Sequence, residues 1–89
     1  MILTIDIGNT NITLGVFNED ELVFTSRLAT DTRRTEDQYA LELRNIFVLH
    51  ECSKSEIEGT IISSVVPHVG ALMSRAVEIL FGYVPMMLG

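Results

Sequence analysis

The first 17 residues, MILTIDIGNTNITLGVF, decide the fold of this chain. Residues 1–7 and 11–17 are both rich in the β-branched and aliphatic side chains that favour strands. Between these runs lies the polar stretch Asp6-Ile7-Gly8-Asn9-Thr10-Asn11. A hairpin needs only one or two turn residues, such as Asn-Gly, to reverse its direction. We therefore expect a hairpin whose turn carries chemistry beyond reversing the chain.

A third strand and a helix are predicted next. Residues 18–21 are all polar and predict a short connection. Residues 22–28 alternate so that one face presents Leu22, Phe24, Ser26 and Leu28. Thr35 and Gln38 have the spacing of a capping box, which predicts that a helix begins there. The helix extends to about residue 50, because apolar or aromatic side chains recur at helical spacing at Tyr39, Leu43, Ile46, Phe47 and His50.

The second half of the sequence predicts a strand, a helix and a further strand. Residues 60–66, TIISSVV, have the continuous character of a strand buried on both faces. Pro67 suits the first position of a helix, and Gly82 suits its end. The apolar stripe of this helix comprises Val69, Leu72, Met73, Ala76, Val77, Leu80 and Phe81. Residues 83–88 then predict strand five, with Met86 and Met87 as core filler.

This order, βββαβαβ, predicts an α/β fold with a mixed five-stranded sheet and flanking helices. Short connections make the first three strands an antiparallel meander, whereas helical crossovers join parallel strands. The arrangement is ribonuclease-H-like. The pattern alone leaves a ferredoxin-like or another mixed α/β domain open.

Composition narrows the classes of function. At 89 residues the chain has room for one domain. Its net charge of -6 and pI of about 4.6 argue against binding nucleic acid or an anionic membrane. Glu78, Gly82 and Pro85 interrupt the last apolar stretch, so it is no membrane span. The single cysteine, Cys52, excludes an intrachain disulfide and suits a cytoplasmic protein. Because the sequence finishes on an apolar strand, we expect a truncated half-domain.

The turn at residues 6–11 has the side chains of a phosphate-binding loop. Gly8 allows close approach of a bulky group and dihedral angles that other residues avoid, while Asn9, Thr10 and Asn11 supply donors. Asp6 would repel a phosphate but would hold Mg²⁺ that bridges to one. The alternative is a plain polar hairpin with an Asx-type turn at Asp6. Neither a Walker motif nor a GxGxxG fingerprint occurs in the sequence.

Three segments resemble the type III pantothenate kinases of the acetate and sugar kinase, Hsp70 and actin superfamily. TIDIGNTNITLGVF (4–17) is similar to the first phosphate motif of the family, Asp-x-Gly-Asn-Thr-Asn. RLATDTRRTEDQYA (27–40) is similar to the stretch that enters its first helix, and GTIISSVVP (59–67) to its next strand and turn. The segments occur in family order and spacing, which favours the kinase interpretation over a plain hairpin.

The resemblance implies a reaction and a set of ligands. The reaction is transfer of the ATP γ-phosphoryl group to pantothenate, giving 4'-phosphopantothenate in the first step of coenzyme A biosynthesis. ATP with Mg²⁺, a monovalent cation (K⁺ or NH4⁺) and a homodimer are implied. The metal residue is Asp6, and the nucleotide-binding residues are Asp6, Ile7, Gly8, Asn9, Thr10, Asn11, Ile12 and Thr13.

The resemblance also implies parts that residues 1–89 lack. The Gly-Ala-Asp-Arg segment with the catalytic-base aspartate and a Gly-Thr-x-Thr-type turn of a second domain do not occur. We therefore expect residues 1–89 to be an N-terminal half-domain without a catalytic residue, and to be inactive alone. The alternative is a non-catalytic binding or regulatory module of the same fold.

Other polar residues give weaker signals. Arg33 and Arg34 either steer an anionic substrate or form a solvated pair before the helix. His50 and His68 lack the supporting ligands of a metal site. The pair at 63–64, Ser-Ser, lies between a strand and a helix but lacks the glycines of a nucleophile elbow.

Overall fold

The computed structural model describes residues 1–88, so Gly89 lies outside it. The strands are β1 (Ile2–Ile7), β2 (Asn11–Asn18), β3 (Glu21–Ala29), β4 (Gly59–Ser64) and β5 (Met86–Leu88). The helices are α1 (Glu36–Leu49) and α2 (Pro67–Phe81), with a 3₁₀ turn at Lys54–Glu56. No helix within this part of the chain is long and apolar enough to cross a membrane.

The strands form one mixed sheet in the order β3-β2-β1-β4-β5. The β1–β2 and β2–β3 pairs are antiparallel, whereas the β1–β4 and β4–β5 pairs are parallel. The predicted fold class, with its meander and helical crossovers, is confirmed.

A single apolar core lies between one face of the sheet and the two helices. The sheet contributes alternate residues of its central strands, as the period of two requires. They are Leu3, Ile5, Ile7, Ile12, Leu14, Val16 and Ile62. The helices contribute the predicted stripes, of which Tyr39, Leu43, Met73 and Val77 are fully buried. Both helices therefore cover the same face.

The opposite face, which we call the open face, has no element packed on it within residues 1–88. Its side chains on β1 and β2 are half-buried or exposed, and they include Thr4, Asp6, Thr13 and Phe17. On β4, Ile61 and Ser63 are only half-buried. The prediction that this strand is buried on both faces is therefore wrong, because the two helices pack on one face only.

A bulge in β3 corrects one predicted face. Val16 pairs with Phe24 but Phe17 pairs with Leu22, so Val23 is an extra residue in the ladder. Leu22 consequently lies on the open face and is 52% exposed, whereas Phe24, Ser26 and Leu28 share the core face, so three of the four residues predicted to share a face do so. Alternation read from the sequence fails here because a bulge shifts the period by one residue.

The helix ends follow the predicted signals. The Thr35 side chain accepts the Gln38 backbone N–H, and the Gln38 side chain accepts that of Thr35, which completes the capping box. Pro67 is at the start of α2, and Gly82 ends it in the left-handed region at φ 81°. His50 is the C-cap of α1 and is exposed, with its ring stacked on Phe24 at 4.2 Å rather than buried in the apolar face.

The last strand is shorter and more exposed than predicted. It covers Met86–Leu88 instead of residues 83–88, and all three side chains are exposed. Met73 is fully buried as core filler, but Met86 and Met87 are 61% and 48% exposed. A three-residue strand at the sheet edge, with no neighbour beyond it in the described residues, offers little surface to bury its side chains.

Candidate functional site

The polar turn joins β1 and β2 at one end of the sheet. Ile7 pairs with Ile12 as the last step of the ladder, and both side chains are fully buried in the core beneath the turn. The Gly8 N–H donates to the Asn11 carbonyl oxygen over 2.9 Å, so the hairpin closes around Asn9 and Thr10. These two residues are exposed. The turn is thus a short, firmly rooted projection whose tip is open to a ligand.

The tip offers backbone donors. Within residues 1–88, the N–H groups of Asn9 and Thr10 have no hydrogen-bond acceptor. Their side chains, like that of Asn11, are exposed and add short polar groups. Unpaired N–H groups gathered in one turn form the type of concavity that binds anions.

Gly8 contributes space rather than an unusual dihedral angle. Its φ is outside the left-handed region, so the predicted need for dihedral angles that other residues avoid is wrong. A Cβ at this position would lie 3.2 Å from the Asn11 carbonyl oxygen, the acceptor that closes the hairpin. Glycine keeps that oxygen close enough to accept the Gly8 N–H.

Asp6 stands beside the turn on the open face. The period of two places its side chain opposite those of Ile5 and Ile7, which point into the core. Asp6 is exposed, and within residues 1–88 its carboxylate makes no hydrogen bond or ion pair. An accessible carboxylate without a partner is available to a cation. The Asx-type turn at Asp6, which belonged to the plain-hairpin alternative, is not formed.

The sheet places two hydroxyl-bearing residues next to Asp6. In register, Asp6 pairs with Thr13 on the antiparallel side and with Ser63 on the parallel side. The three residues form a polar row across the open face, with strands about 4.8 Å apart. Thr13 was predicted to belong to the site, whereas Ser63 was not. Ser63 lies there because the parallel strands β1 and β4 align their carboxyl ends at one edge of the sheet.

Ser64, the neighbour of Ser63, is occupied in the local structure. Its hydroxyl accepts the Val66 N–H over 3.0 Å and donates to the Val66 carbonyl over 2.8 Å. These bonds shape the passage from β4 into α2. The structure therefore gives Ser64 a turn-forming role and no base with which to act as a nucleophile.

Thr30, directly after β3, is a residue that the sequence analysis missed. Its hydroxyl donates to the Gly8 carbonyl over 2.8 Å, and its backbone N–H donates to the Thr10 carbonyl over 2.9 Å. Both contacts reach the polar turn from a residue 20 positions or more away in sequence. The signal for it was the β2–β3 register, which brings the end of β3 to the β1–β2 turn.

The two arginines before α1 behave differently from one another. Arg34 forms an ion pair with Glu42 of α1, whereas the Arg33 side chain is 90% exposed. The Arg33 backbone N–H donates to Asp31 Oδ1 over 2.9 Å and lowers the pKa of that carboxyl below its ordinary value. Arg34 thus fixes the loop to the helix, while the exposed Arg33 guanidinium pairs through its Nε with Asp31 Oδ1 at 3.3 Å.

Two other features, clusters of metal-ligating side chains and an apolar pocket, were considered as sites. Within residues 1–88 no group of three or more His, Cys, Asp or Glu side chains could hold a metal ion. An apolar pocket of about 250 Å³ lies on the helical side, lined in part by Arg44, Phe47, Cys52 and Leu80. None of the polar-turn residues lines it, and burial raises the pKa of the Cys52 thiol there. This pocket is separate from the chemistry at Asp6.

Comparison with known proteins places these observations in a family. The family model described as type III pantothenate kinase matches residues 2–89. The type III pantothenate kinase of Finegoldia magna is 44% identical over 86 residues, which are 97% of this chain and 33% of that protein. That of Halalkalibacterium halodurans is 42% identical over 89 residues, 100% of this chain and 35% of the relative. The chain spans about a third of the length of these curated relatives.

Proposed function

The chain belongs to the type III pantothenate kinase family, and from this premise we propose that it forms the first phosphate-binding loop of an enzyme that phosphorylates pantothenate. The reaction is ATP-dependent and gives 4'-phosphopantothenate, the first step of coenzyme A biosynthesis. The observation that carries the proposal is the β1–β2 turn, where exposed backbone donors lie beside an unpartnered carboxylate. Phosphoryl transfer depends mainly on positioning and neutralising phosphate charge, which is what such groups do.

In this proposal the turn binds the phosphates of ATP. The N–H groups of Asn9 and Thr10 donate to phosphate oxygens, and the side chains of Asn9, Thr10, Asn11 and Thr13 add polar contacts. Gly8 allows the narrow closure of the hairpin, and Ile7 and Ile12 anchor it in the core. The side chains of Ile7 and Ile12 thus support the site from below rather than touching the nucleotide.

Mg²⁺ fits the donor set on the open face. Mg²⁺ keeps several waters and takes one or two protein carboxylates together with substrate phosphates. Asp6 offers one exposed carboxylate with no competing partner in the described residues, and it is the neighbour of the turn that would hold the phosphates. When bound, the ion would neutralise phosphate charge. Asp6 would hold it, directly or through a bound water, and so keep the polyanion near the turn.

The proposed site is half of an enzyme. The chain spans about a third of the length of its relatives, and the carboxylate beside its turn, Asp6, is assigned to the metal ion in this proposal. We propose that the base aspartate and the second phosphate-binding turn belong to a second domain, so that residues 1–89 alone do not turn over. A homodimer, a K⁺ or NH4⁺ ion and a cytoplasmic location complete the proposal, and they rest on the family alone.

A chimera with a relative tests this function directly. Residues 1–88 would replace the matching third of the Finegoldia magna enzyme, to which this chain is 44% identical. Pantothenate-dependent release of ADP is then measured for the chimera and for its Asp6→Asn variant. We expect an active chimera and a loss of about a hundredfold in the variant, the scale of one electrostatic contact to a reacting group.

Asp20→Asn is the matched control, because Asp20 is an exposed carboxylate at the opposite end of the hairpin. It should leave the rate unchanged. A folded but inactive chimera, or an active one that is indifferent to Asp6→Asn, would contradict the proposed function. Pantothenate phosphorylation by residues 1–89 alone would contradict the half-site, and the chain would then be a complete catalyst. Nucleotide binding without activity in the chimera would favour the binding-module alternative.

A further inference from the structure

We propose that Thr30 is a positioning residue for the phosphate-binding turn, acting as a clamp that sets the direction of the Asn9 N–H, one of the two backbone donors at its tip. This inference rests on the proposed function of the turn. It concerns a residue outside the turn, directly after β3.

Thr30 makes two hydrogen bonds to the turn. Its hydroxyl donates to the Gly8 carbonyl and its backbone N–H donates to the Thr10 carbonyl, at 2.8 and 2.9 Å. The two carbonyls belong to the peptide groups that carry the N–H of Asn9 and the N–H of Asn11. In a planar trans peptide the N–H points away from the carbonyl oxygen. Holding these carbonyls against Thr30 therefore directs the attached N–H groups away from it, and the Asn9 N–H is one of the two tip donors.

Thr30 is itself held in place through its neighbour in the chain, Asp31. The next residue, Asp31, has both backbone groups bonded to the Tyr39 hydroxyl, which accepts the Asp31 N–H over 3.0 Å and donates to its carbonyl over 2.8 Å. Tyr39 is fully buried on α1. The clamp is thus connected to the core through one side chain, and the turn is fixed relative to helix α1.

The hydrogen bonds of Thr30 are not needed to close the hairpin. The hairpin already closes through the bond from the Gly8 N–H to the Asn11 carbonyl, so Thr30 is not needed to reverse the chain. Its N–H bond to the Thr10 carbonyl continues the β2–β3 pairing by one step, whereas its hydroxyl bond to the Gly8 carbonyl is additional to that pairing. The Thr30 hydroxyl holds the Gly8 carbonyl without closing the turn. It can therefore order the Asn9 N–H before a ligand arrives, which lowers the entropic cost of binding.

Two measurements on the chain test the clamp. The order parameter of the Asn9 N–H is measured by NMR relaxation without ligand, and the affinity for MgATP is measured by chemical-shift titration. In Thr30→Val we expect the Asn9 order parameter to fall towards the flexible range, below about 0.6, and the affinity to fall by about three- to tenfold, the range of one net hydrogen bond. Thr30→Ser keeps the hydroxyl and should restore both.

Thr25→Val is the matched control, because Thr25 is an exposed residue of β3, the strand that precedes Thr30, and pairs with Gly15 away from the turn. Thr30→Val behaving like Thr25→Val in either measurement would overturn the inference. Lack of MgATP binding by the unaltered chain would instead overturn the nucleotide role proposed for the turn, so the two failures are distinguishable.

Discussion

Replacing Tyr39 by phenylalanine should destabilise the chain although it leaves no cavity. The Tyr39 ring is fully buried, so phenylalanine fills the same space in the core. What is lost is the hydroxyl, which accepts the Asp31 N–H and donates to the Asp31 carbonyl. The variant therefore separates the effect of two hydrogen bonds from the effect of packing.

The magnitude follows from the number of groups left unpaired. Each lost hydrogen bond lowers the free energy of unfolding by about 0.5–1.5 kcal/mol, and a buried group without a partner adds more. Because the Asp31 backbone is only partly buried, water can replace some of the loss. We expect a decrease of about 1–3 kcal/mol, which corresponds to about 4–24 °C in Tm for a domain of this size.

Urea unfolding followed by far-UV circular dichroism measures this effect. The comparison variant is Tyr83→Phe, since the Tyr83 hydroxyl shares one hydrogen bond of 2.7 Å with Thr60. We expect Tyr39→Phe to lower the urea midpoint further than Tyr83→Phe, with an unchanged m-value. A loss below about 0.5 kcal/mol in Tyr39→Phe, the range of ordinary surface substitutions, would refute the claim that its hydroxyl anchors the loop before α1.

Three further predictions follow. Gly82→Ala should lower the free energy of unfolding by about 1 kcal/mol, because φ is 81° and no atom lies within 4 Å of a Cβ to offer a packing gain. In urea titrations Gly82→Asn should lower this free energy by less, and equal losses in the two variants would contradict the backbone explanation. Asp31→Asn should lower the urea midpoint at pH 7. The difference should shrink as the pH falls below about 4, the unfolded pKa, and vanish once the pH is below the lowered folded-state pKa; a difference that persists when the carboxyl is protonated in both states would contradict this. Burial, with Glu56 nearby, raises the pKa of Cys52, so at pH 8 iodoacetamide should alkylate it more slowly than in the urea-unfolded chain; equal rates would refute this.

The elements of the fold were predictable because their signals are local. The capping box at Thr35, the proline at the start of α2 and the glycine at its end each satisfy a backbone group within a few residues. The apolar stripes of the helices match their periods for the same reason. These patterns need no knowledge of which elements meet in space.

The errors arose where the outcome depends on distant neighbours. The exposure of Ile61 on β4 depends on whether an element covers the open face, and the position of Leu22 depends on a bulge set by pairing with β2. Thr30 was missed because its partners, Gly8 and Thr10, are more than 19 residues away and the bonds are made to their backbone carbonyls. Backbone acceptors carry no sequence signal.

The candidate site divides in the same way. Asp6 and the polar turn were predictable because they lie in one continuous stretch with an unusual composition. Ser63 joins the row beside Asp6 only through the parallel register of β1 and β4. The dihedral role expected of Gly8 was wrong because glycine can be required by space as well as by φ, and the sequence does not distinguish the two.

The most direct test of the central claim is an NMR titration of the chain with ATP, with and without Mg²⁺. Amide signals of residues 6–13 should shift on addition of MgATP, and the part that depends on Mg²⁺ should disappear in Asp6→Asn but persist in Asp20→Asn. Shifts confined to the apolar pocket around Arg44 and Leu80, or a Mg²⁺ dependence unaffected by Asp6→Asn, would contradict the claim that Asp6 and the β1–β2 turn bind the metal-nucleotide together.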